Sequence, residues 1–300
     1  MTPLAVTGAS GFLGRHVLAA LDARAVAAVA QARRPVQEQA PAHRRWTRFD
    51  MSLDPAEAYA RLGRPQVVVH LAWEGLPNYL SLRHFEVELP AQYRFLSGLV
   101  AAGVRRLVVA GTCFEYGMRS GPLAETLEPQ PANPYGFAKD ALRRQLGFLA
   151  AERPFELRWL RLFYLYGPGQ APTSLFGAFQ AALARGDAQF DMSAGEQLRD
   201  FMPAEDAGAA IAAVALAAQA PAIVNVCSGR PRSVRGLVED WRAAAGSAIA
   251  LNLGARAYPS YEPFAFWGDG RRLAALQAAP DLASNETGGT ARPEGRNDHV

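Results

Sequence analysis

Leu4-Ala5-Val6-Thr7-Gly8-Ala9-Ser10-Gly11-Phe12-Leu13-Gly14 is the stretch that decides the architecture of this chain. Leu4 to Thr7 is short, apolar and strand-like, and Arg15 to Leu21 repeats with the helical period. Between them stand Gly8, Gly11 and Gly14. Glycines at these spacings permit a tight turn, let backbone N–H groups approach a pyrophosphate, and let a helix pack closely on a sheet. A glycine triplet alone is weak. Placed between a first strand and a helix, it predicts the opening of an α/β, doubly wound parallel Rossmann sheet, with Gly8, Ser10, Gly11, Phe12, Leu13 and Gly14 along a dinucleotide.

Composition bounds the rest. Three hundred residues with 50% apolar content suffice for one large domain or two intertwined ones. The net charge of +3 is small, and the basic pI comes from scattered arginines, which gives no case for nucleic acid. Cys113 and Cys227 make no disulfide framework, pointing to a reducing cytoplasm. Leu4 to Val6 begins too early to leave room for a signal peptide, and no metal-ligand spacing is present. The alanine-rich stretch Ala207 to Ala222 is too short and weakly apolar to span a membrane, and reads as a packed helix.

Moving outward from the glycine loop, the second strand is expected over Ala25 to Ala30, followed by Gln31-Ala32-Arg33-Arg34. An Asp or Glu at the end of this strand takes the ribose hydroxyls of NAD, whereas arginine accommodates a 2′-phosphate. With no acid and two guanidiniums, Arg33 and Arg34 favour NADP over NAD. Asp50, with Met51 beside it, is the candidate acceptor at the adenine edge. Val67 to Ala72 reads as a buried parallel strand whose end, Leu71-Ala72, borders the cofactor. In the loop that follows, Trp73 and Tyr79 either line a pocket or cap it. A long helix is expected over Leu82 to Ala102, ending at Gly103, then a strand over Arg106 to Ala110.

Tyr135-Gly136-Phe137-Ala138-Lys139 holds the only lysine of the chain, among 31 Lys+Arg. Composition bias cannot explain it. Residues four apart share a helix face, so phenol and ammonium reach one small volume. An ammonium about 4 Å from a phenol, at an effective dielectric of about 20, favours the phenolate by about 4 kcal/mol. Tyr135 is therefore expected to titrate below its ordinary value and to serve as an acid or base.

These residues resemble the extended short-chain dehydrogenase/reductases, the nucleotide-sugar epimerases, dehydratases and reductases, over about residues 2 to 280. The resemblance rests on the glycine loop, Gly111-Thr112-Cys113-Phe114-Glu115-Tyr116-Gly117, the Tyr135/Lys139 pair, Tyr166-Gly167-Pro168-Gly169-Gln170, and Arg199-Asp200-Phe201. It implies that Thr112 hydrogen-bonds the reacting sugar oxygen. Tyr135 becomes the acid/base, with Lys139 holding the nicotinamide ribose, and Arg199 the contact to the substrate diphosphate. Trp73, Cys113, Phe114 and Tyr164 fall at the substrate. Two departures matter. Cys113 and Phe114 stand where sugar 4,6-dehydratases carry Asp and Glu, which argues against dehydration, and Tyr164 replaces a frequent asparagine.

The resemblance divides the chain into an NADP-binding Rossmann domain over 1–170, with about 200–227 crossing back to it, and an interleaved substrate domain over 171–280. Residues 281–300 read as a disordered tail. Within the second half, helices are expected over Phe176 to Ala184 and Val234 to Ala245, and strands over Arg199 to Met202 and Ile223 to Cys227. The proline-rich Tyr258 to Pro263 is expected to close the nucleotide end of the site. Homodimers of relatives pair through the helices matching Leu82 to Ala102 and Tyr135 to Ala151. The expected activity is NADPH-dependent reduction of the 4-keto group of a nucleotide-activated 6-deoxyhexose, closest to the NDP-4-keto-6-deoxyhexose reductases. Its alternatives are a nucleotide-sugar epimerase with tightly held NAD(P) and a non-catalytic NADP-binding redox sensor. Retention of Tyr135 and Lys139 weighs against the sensor.

Overall fold

The computed structural model describes residues 4–37 and 39–278, so the tail expected over 281–300 lies outside the described residues. The first half runs β1 (Leu4–Thr7), α1 (Phe12–Asp22), β2 (Ala28–Ala32), β3 (Arg44–Arg48), α2 (Pro55–Arg61), β4 (Val67–His70), α3 (Leu89–Ala102) and β5 (Arg106–Thr112). It continues with β6 (Gly121–Leu123), α4 (Pro134–Glu152), β7 (Glu156–Leu162) and β8 (Tyr164–Tyr166). Then come α5 (Leu175–Arg185), β9 (Gln189–Met192), β10 (Leu198–Pro203), α6 (Ala204–Leu216) and β11 (Ile223–Val226). The chain ends its described part with β12 (Pro231–Ser233), α7 (Val234–Ala244), β13 (Ala250–Leu253), β14 (Phe266–Gly268) and α8 (Arg271–Ala278).

Seven parallel strands form the central sheet in the order β11-β7-β5-β4-β1-β2-β3. Because side chains alternate across a strand, neighbouring residues supply opposite faces. Leu4, Val6, Val67, Val69 and Val108 pack under α1 and α6, while Ala5, Val68, Leu107 and Val109 pack under α2, α3 and α4. Both faces are covered, so the strands read as continuous apolar runs. The alanine-rich stretch is a packed helix, as expected, but shorter: α6 brings Ala207, Ala210 and Ile211 against α1. β11 returns as the edge strand beside β7, whereas β10 lies in a separate small sheet with β8 and β12. A second apolar centre joins α5, β9 and α7 through Phe179, Phe190, Leu237 and Trp241.

Several boundaries differ from expectation for local reasons. β2 starts three residues later, at Ala28, because α1 runs to Asp22 and Ala25 turns the chain at φ 49°. The helix expected over Leu82 to Ala102 is interrupted: a π-helical turn over His84–Glu88 precedes α3. Pro90, near the start of α3, supplies no N–H, which marks that position as a helix beginning rather than an interior. β4 stops at His70, and the Leu71 N–H instead donates to the Thr7 carbonyl at 3.1 Å. The pairing of β14 with β6 joins residues far apart in sequence and has no local signature.

Candidate active site

The carboxyl ends of β1, β4 and β5 build the site. At the first, Gly8 has φ 69°, and a Cβ there would lie 2.8 Å from the Ala72 nitrogen. A Cβ on Gly14 would fall 2.4 Å from the Gly8 carbonyl oxygen. Neither position accepts a side chain, so the loop, the Leu71-Ala72 wall and α1 close on one another as bare backbone. Gly11 caps α1 with no side chain bonded to its first turn, leaving those N–H groups for an anion. Gln31 is turned inward, accepting from the Gly8 N–H at 3.0 Å and donating to the Phe49 carbonyl at 2.6 Å. Ser10, Arg15, Arg33 and Arg34 line a cleft of ≈ 760 Å³ beside the loop. An uncapped helix start, a side-chain-free turn and a basic cleft suit a dinucleotide diphosphate and its adenosine end.

Of the predicted adenosine contacts, Arg33 forms an ion pair with Glu74, and Arg34 makes none among the described residues. Asp50 accepts from the Ser52 N–H at 2.9 Å, which holds its carboxyl below its ordinary value, with Arg33 adding to the effect. Met51 packs against the apolar layer under α3, rather than standing free at an adenine edge. Phe12 and Leu13 form the first turn of α1, where Leu13 faces the core and Phe12 meets the His16 ring at 5.6 Å.

Thr112 ends β5, and α4 begins at Pro134, capped by Asn133, whose Oδ1 accepts from the Gly136 N–H at 2.8 Å. That start turns Tyr135 and Lys139 inward, both buried. Tyr135 shares a hydrogen bond with Thr112. Lys139 Nζ donates to the Ala110 carbonyl at 2.7 Å, lies 3.8 Å from the centre of the Trp73 ring, and 5.9 Å from that of Tyr135. The three residues expected to act together are thus brought together. Trp73, left open between lining and capping, forms the wall behind Lys139, and donates from Nε1 to His84 Nδ1 at 3.1 Å.

The expected lowering of the Tyr135 titration is not found. Burial pushes the phenol well above its ordinary value, reinforced by Tyr79, Glu115 and Cys113, while the Thr112 hydrogen bond opposes the rise. Lys139 itself is pushed down to about 7 by burial, against the opposing pull of Glu115 and Glu88. The sequence estimate assumed a charged ammonium at about 4 Å in a partly wet setting. Here desolvation dominates, and the ammonium faces the indole rather than the phenol oxygen.

Glu115 is fully buried and was not legible as a site residue. Its carboxylate accepts from the Thr112 N–H at 2.9 Å, Trp159 Nε1 at 2.8 Å and Arg161 Nε at 2.8 Å, fixing the turn that carries Thr112. The Thr-x-x-Glu spacing of a capping box was its available signal.

The reacting end is walled by rings. Phe114 lies 4.8 Å from Tyr79, 6.4 Å from Tyr135, 6.4 Å from Tyr164 and 6.1 Å from Tyr261. The Tyr258–Pro263 segment has no helix or strand, as expected, yet it covers this reacting end rather than a nucleotide end. Within it Glu262 accepts from the Tyr164 hydroxyl and pairs with Arg199 at 2.9 Å. Burial raises the Glu262 carboxyl to about 7. Arg199 is buried and also donates to the Leu198 and Phe264 carbonyls, so it does not present a free guanidinium for a diphosphate. Its charge is already used. Cys113 belongs to an apolar cluster with Tyr116, Phe163 and Phe266, and burial keeps its thiol protonated, far from a reactive thiolate.

A model of the NAD dependent epimerase/dehydratase family matches residues 4–227. The chain is 33% identical over 248 residues to dTDP-6-deoxy-L-talose 4-dehydrogenase (NAD(P)(+)) of Kitasatospora kifunensis, covering 79% of this chain and 77% of that protein. It is 28% identical over 267 residues to dTDP-6-deoxy-L-talose 4-dehydrogenase (NAD(+)) of Aggregatibacter actinomycetemcomitans, covering 88% and 98%. Among solved structures, MoeE5 in complex with UDP-glucuronic acid and NAD superposes with a TM-score of 0.78 at 30% identity, covering 91% and 92%. Among the described residues no helix is long and apolar enough to cross a membrane, and no cluster of His, Cys, Asp and Glu forms a metal site.

Proposed function

The chain belongs to the NAD dependent epimerase/dehydratase family, and we propose that within it this protein reduces the 4-keto group of a nucleotide-activated 6-deoxyhexose with NADPH. One observation carries the reading: Thr112, Tyr135 and Lys139 meet beside the glycine groove, under a wall of rings. The relatives named as 4-dehydrogenases support it, since a dehydrogenase and a reductase run the same hydride transfer in opposite directions. A 6-deoxy sugar carries a methyl group at C6, and Phe114, Tyr79, Tyr164 and Tyr261 offer it an apolar surface. A uronic acid would need a free cation there, but Arg199 is already neutralised by Glu262.

The bound nicotinamide supplies the hydride. Thr112 donates its hydroxyl hydrogen to the ketone oxygen, and Tyr135 releases its proton to the alkoxide that forms there. A phenol kept protonated by burial suits a donor and therefore the reductive direction. Lys139, at the side of Trp73, offsets the negative charge left on Tyr135. Arg33 and Arg34 support NADPH as the preferred reductant through their place in the basic cleft.

The test supplies purified protein with an NDP-4-keto-6-deoxyhexose and excess NADPH, and counts cofactor oxidised per sugar consumed. One-for-one stoichiometry is expected. Sugar isomerisation without net loss of NADPH would overturn the assignment and favour an epimerase.

A further inference from the structure

The end of β2 lacks the carboxylate that would hold the adenosine ribose hydroxyls of NAD. Gln31 is committed inward to Gly8 and Phe49, and the chain continues Ala32-Arg33-Arg34. A carboxylate nonetheless arrives from another strand. β4 is the neighbour of β1 on one side and β2 its neighbour on the other, so an Arg33–Glu74 contact must cross the carboxyl edge of β1 and its glycine loop. The Glu74 backbone is anchored for this: its N–H donates to Glu88 Oε2 at 3.3 Å, and Arg83 bridges Glu74 at 3.3 Å and Glu88 at 3.2 Å. Glu88 is buried, which gives the loop a fixed base.

We infer that Glu74 is a specificity-determining residue for the cofactor: it supplies from β4 the acid missing at the end of β2, and it competes with a 2′-phosphate for Arg33. The inference rests on the dinucleotide reading of the groove made above. Arg33 and Glu74 are half exposed, at 53% and 45%, so their bond is weak and a ligand can open it. NADH brings only hydroxyls, which a carboxylate accepts. NADPH brings nearly two negative charges, and it must both displace Glu74 from Arg33 and remain close to it. Asp50, whose carboxyl also feels Arg33, adds a second negative neighbour. Arg34 and Arg15 remain in the cleft for the phosphate, so the balance yields use of both cofactors rather than exclusion of either.

Removing the Glu74 charge should therefore tighten NADPH by about fivefold to tenfold, as expected for one like-charge contact at several ångströms in a solvent-exposed site, and leave NADH unchanged or weaker. The experiment titrates the parent, Glu74→Gln and Glu74→Ala with NADPH and with NADH, without sugar, following the fluorescence of the reduced nicotinamide at constant ionic strength. The same gain in NADPH affinity should vanish when Arg33→Ala is added to Glu74→Gln. An unchanged NADPH-to-NADH ratio, equal tightening of both, or a gain that persists without Arg33 would each remove the inference while leaving the dinucleotide groove intact. Failure of both nucleotides to bind any of the proteins would remove the groove reading and the inference together.

Discussion

The Lys139 ammonium sits 3.8 Å from the centre of the Trp73 indole and is held there by the Ala110 carbonyl at 2.7 Å. Burial brings its titration to about 7, against an ordinary value of 10.5. The charged form is therefore complete below pH 7 and is lost as pH rises through it. Since reduction needs that charge, kcat/KM should fall above about pH 7, by about tenfold per unit in the limit. Lys139→Met should show low activity without this limb. A flat profile of the parent from pH 6 to 9 would detach Lys139 from the proton transfer. Stability carries the opposite trend: a lysine whose folded value lies below its unfolded one destabilises at neutral pH, and this cost shrinks as pH climbs from 7 towards 10.5.

Tyr135→Phe should lower turnover by about 10²-fold to 10⁴-fold, because it removes the proton while keeping the ring against Trp73, Tyr79 and His84. Cofactor affinity, read by fluorescence titration, should survive. Turnover within a few-fold of the parent would end the assignment of Tyr135 as donor.

Glu115→Ala should be among the most damaging substitutions for stability. It leaves Arg161 buried without its carboxylate and strips acceptors from Trp159 and the Thr112 N–H. Breaking one side of a buried pair costs about 3–5 kcal/mol, measurable by urea unfolding. A loss below about 1 kcal/mol would show that water replaces the carboxylate.

Two glycine substitutions should move in opposite directions. Gly14→Ala puts a Cβ 2.4 Å from the Gly8 carbonyl oxygen and should abolish dinucleotide binding. Gly147→Ala, in the interior of α4 with nothing within 4 Å of the added atom, should stabilise by about 0.5–1 kcal/mol. Thermal unfolding and cofactor titration of both variants check the contrast.

The outer side of α4 and the turn before α3 expose apolar side chains, Phe148 at 76%, Phe137 at 52% and Val87 at 45%, with Phe85 packed edge-on to Phe137 at 6.0 Å. Covering such a patch is favourable, and we expect a homodimer through it. Sedimentation at micromolar concentration should give a dimer mass for the parent and a monomer mass for Phe148→Glu. A monomeric parent would refute the pairing.

By itself the amino-acid order determined the glycine turn, the apolar strands and the helix that carries Tyr135 and Lys139. Each of these rests on short-range physics. Gly8 and Gly14 announce a backbone that must approach backbone, continuous apolar runs announce strands buried on both faces, and a four-residue spacing announces a shared helix face. Even the N-cap of α4 was written locally, as Asn133 followed by Pro134. Tertiary structure alone decided what surrounds those residues. The rise of Tyr135 and the fall of Lys139 come from burial beneath Trp73, Tyr79 and Phe114, which no spacing along the chain encodes. Arg199 looked available because an arginine in sequence carries no record of its partner, and Glu262 reaches it only when the Tyr258–Pro263 segment folds back over β10. Arg33 meets Glu74 for the same reason: strands β2 and β4, distant in the chain, flank β1 in the sheet. Local propensity is a property of neighbours in sequence, whereas desolvation and charge pairing depend on distances that only the assembled sheet defines.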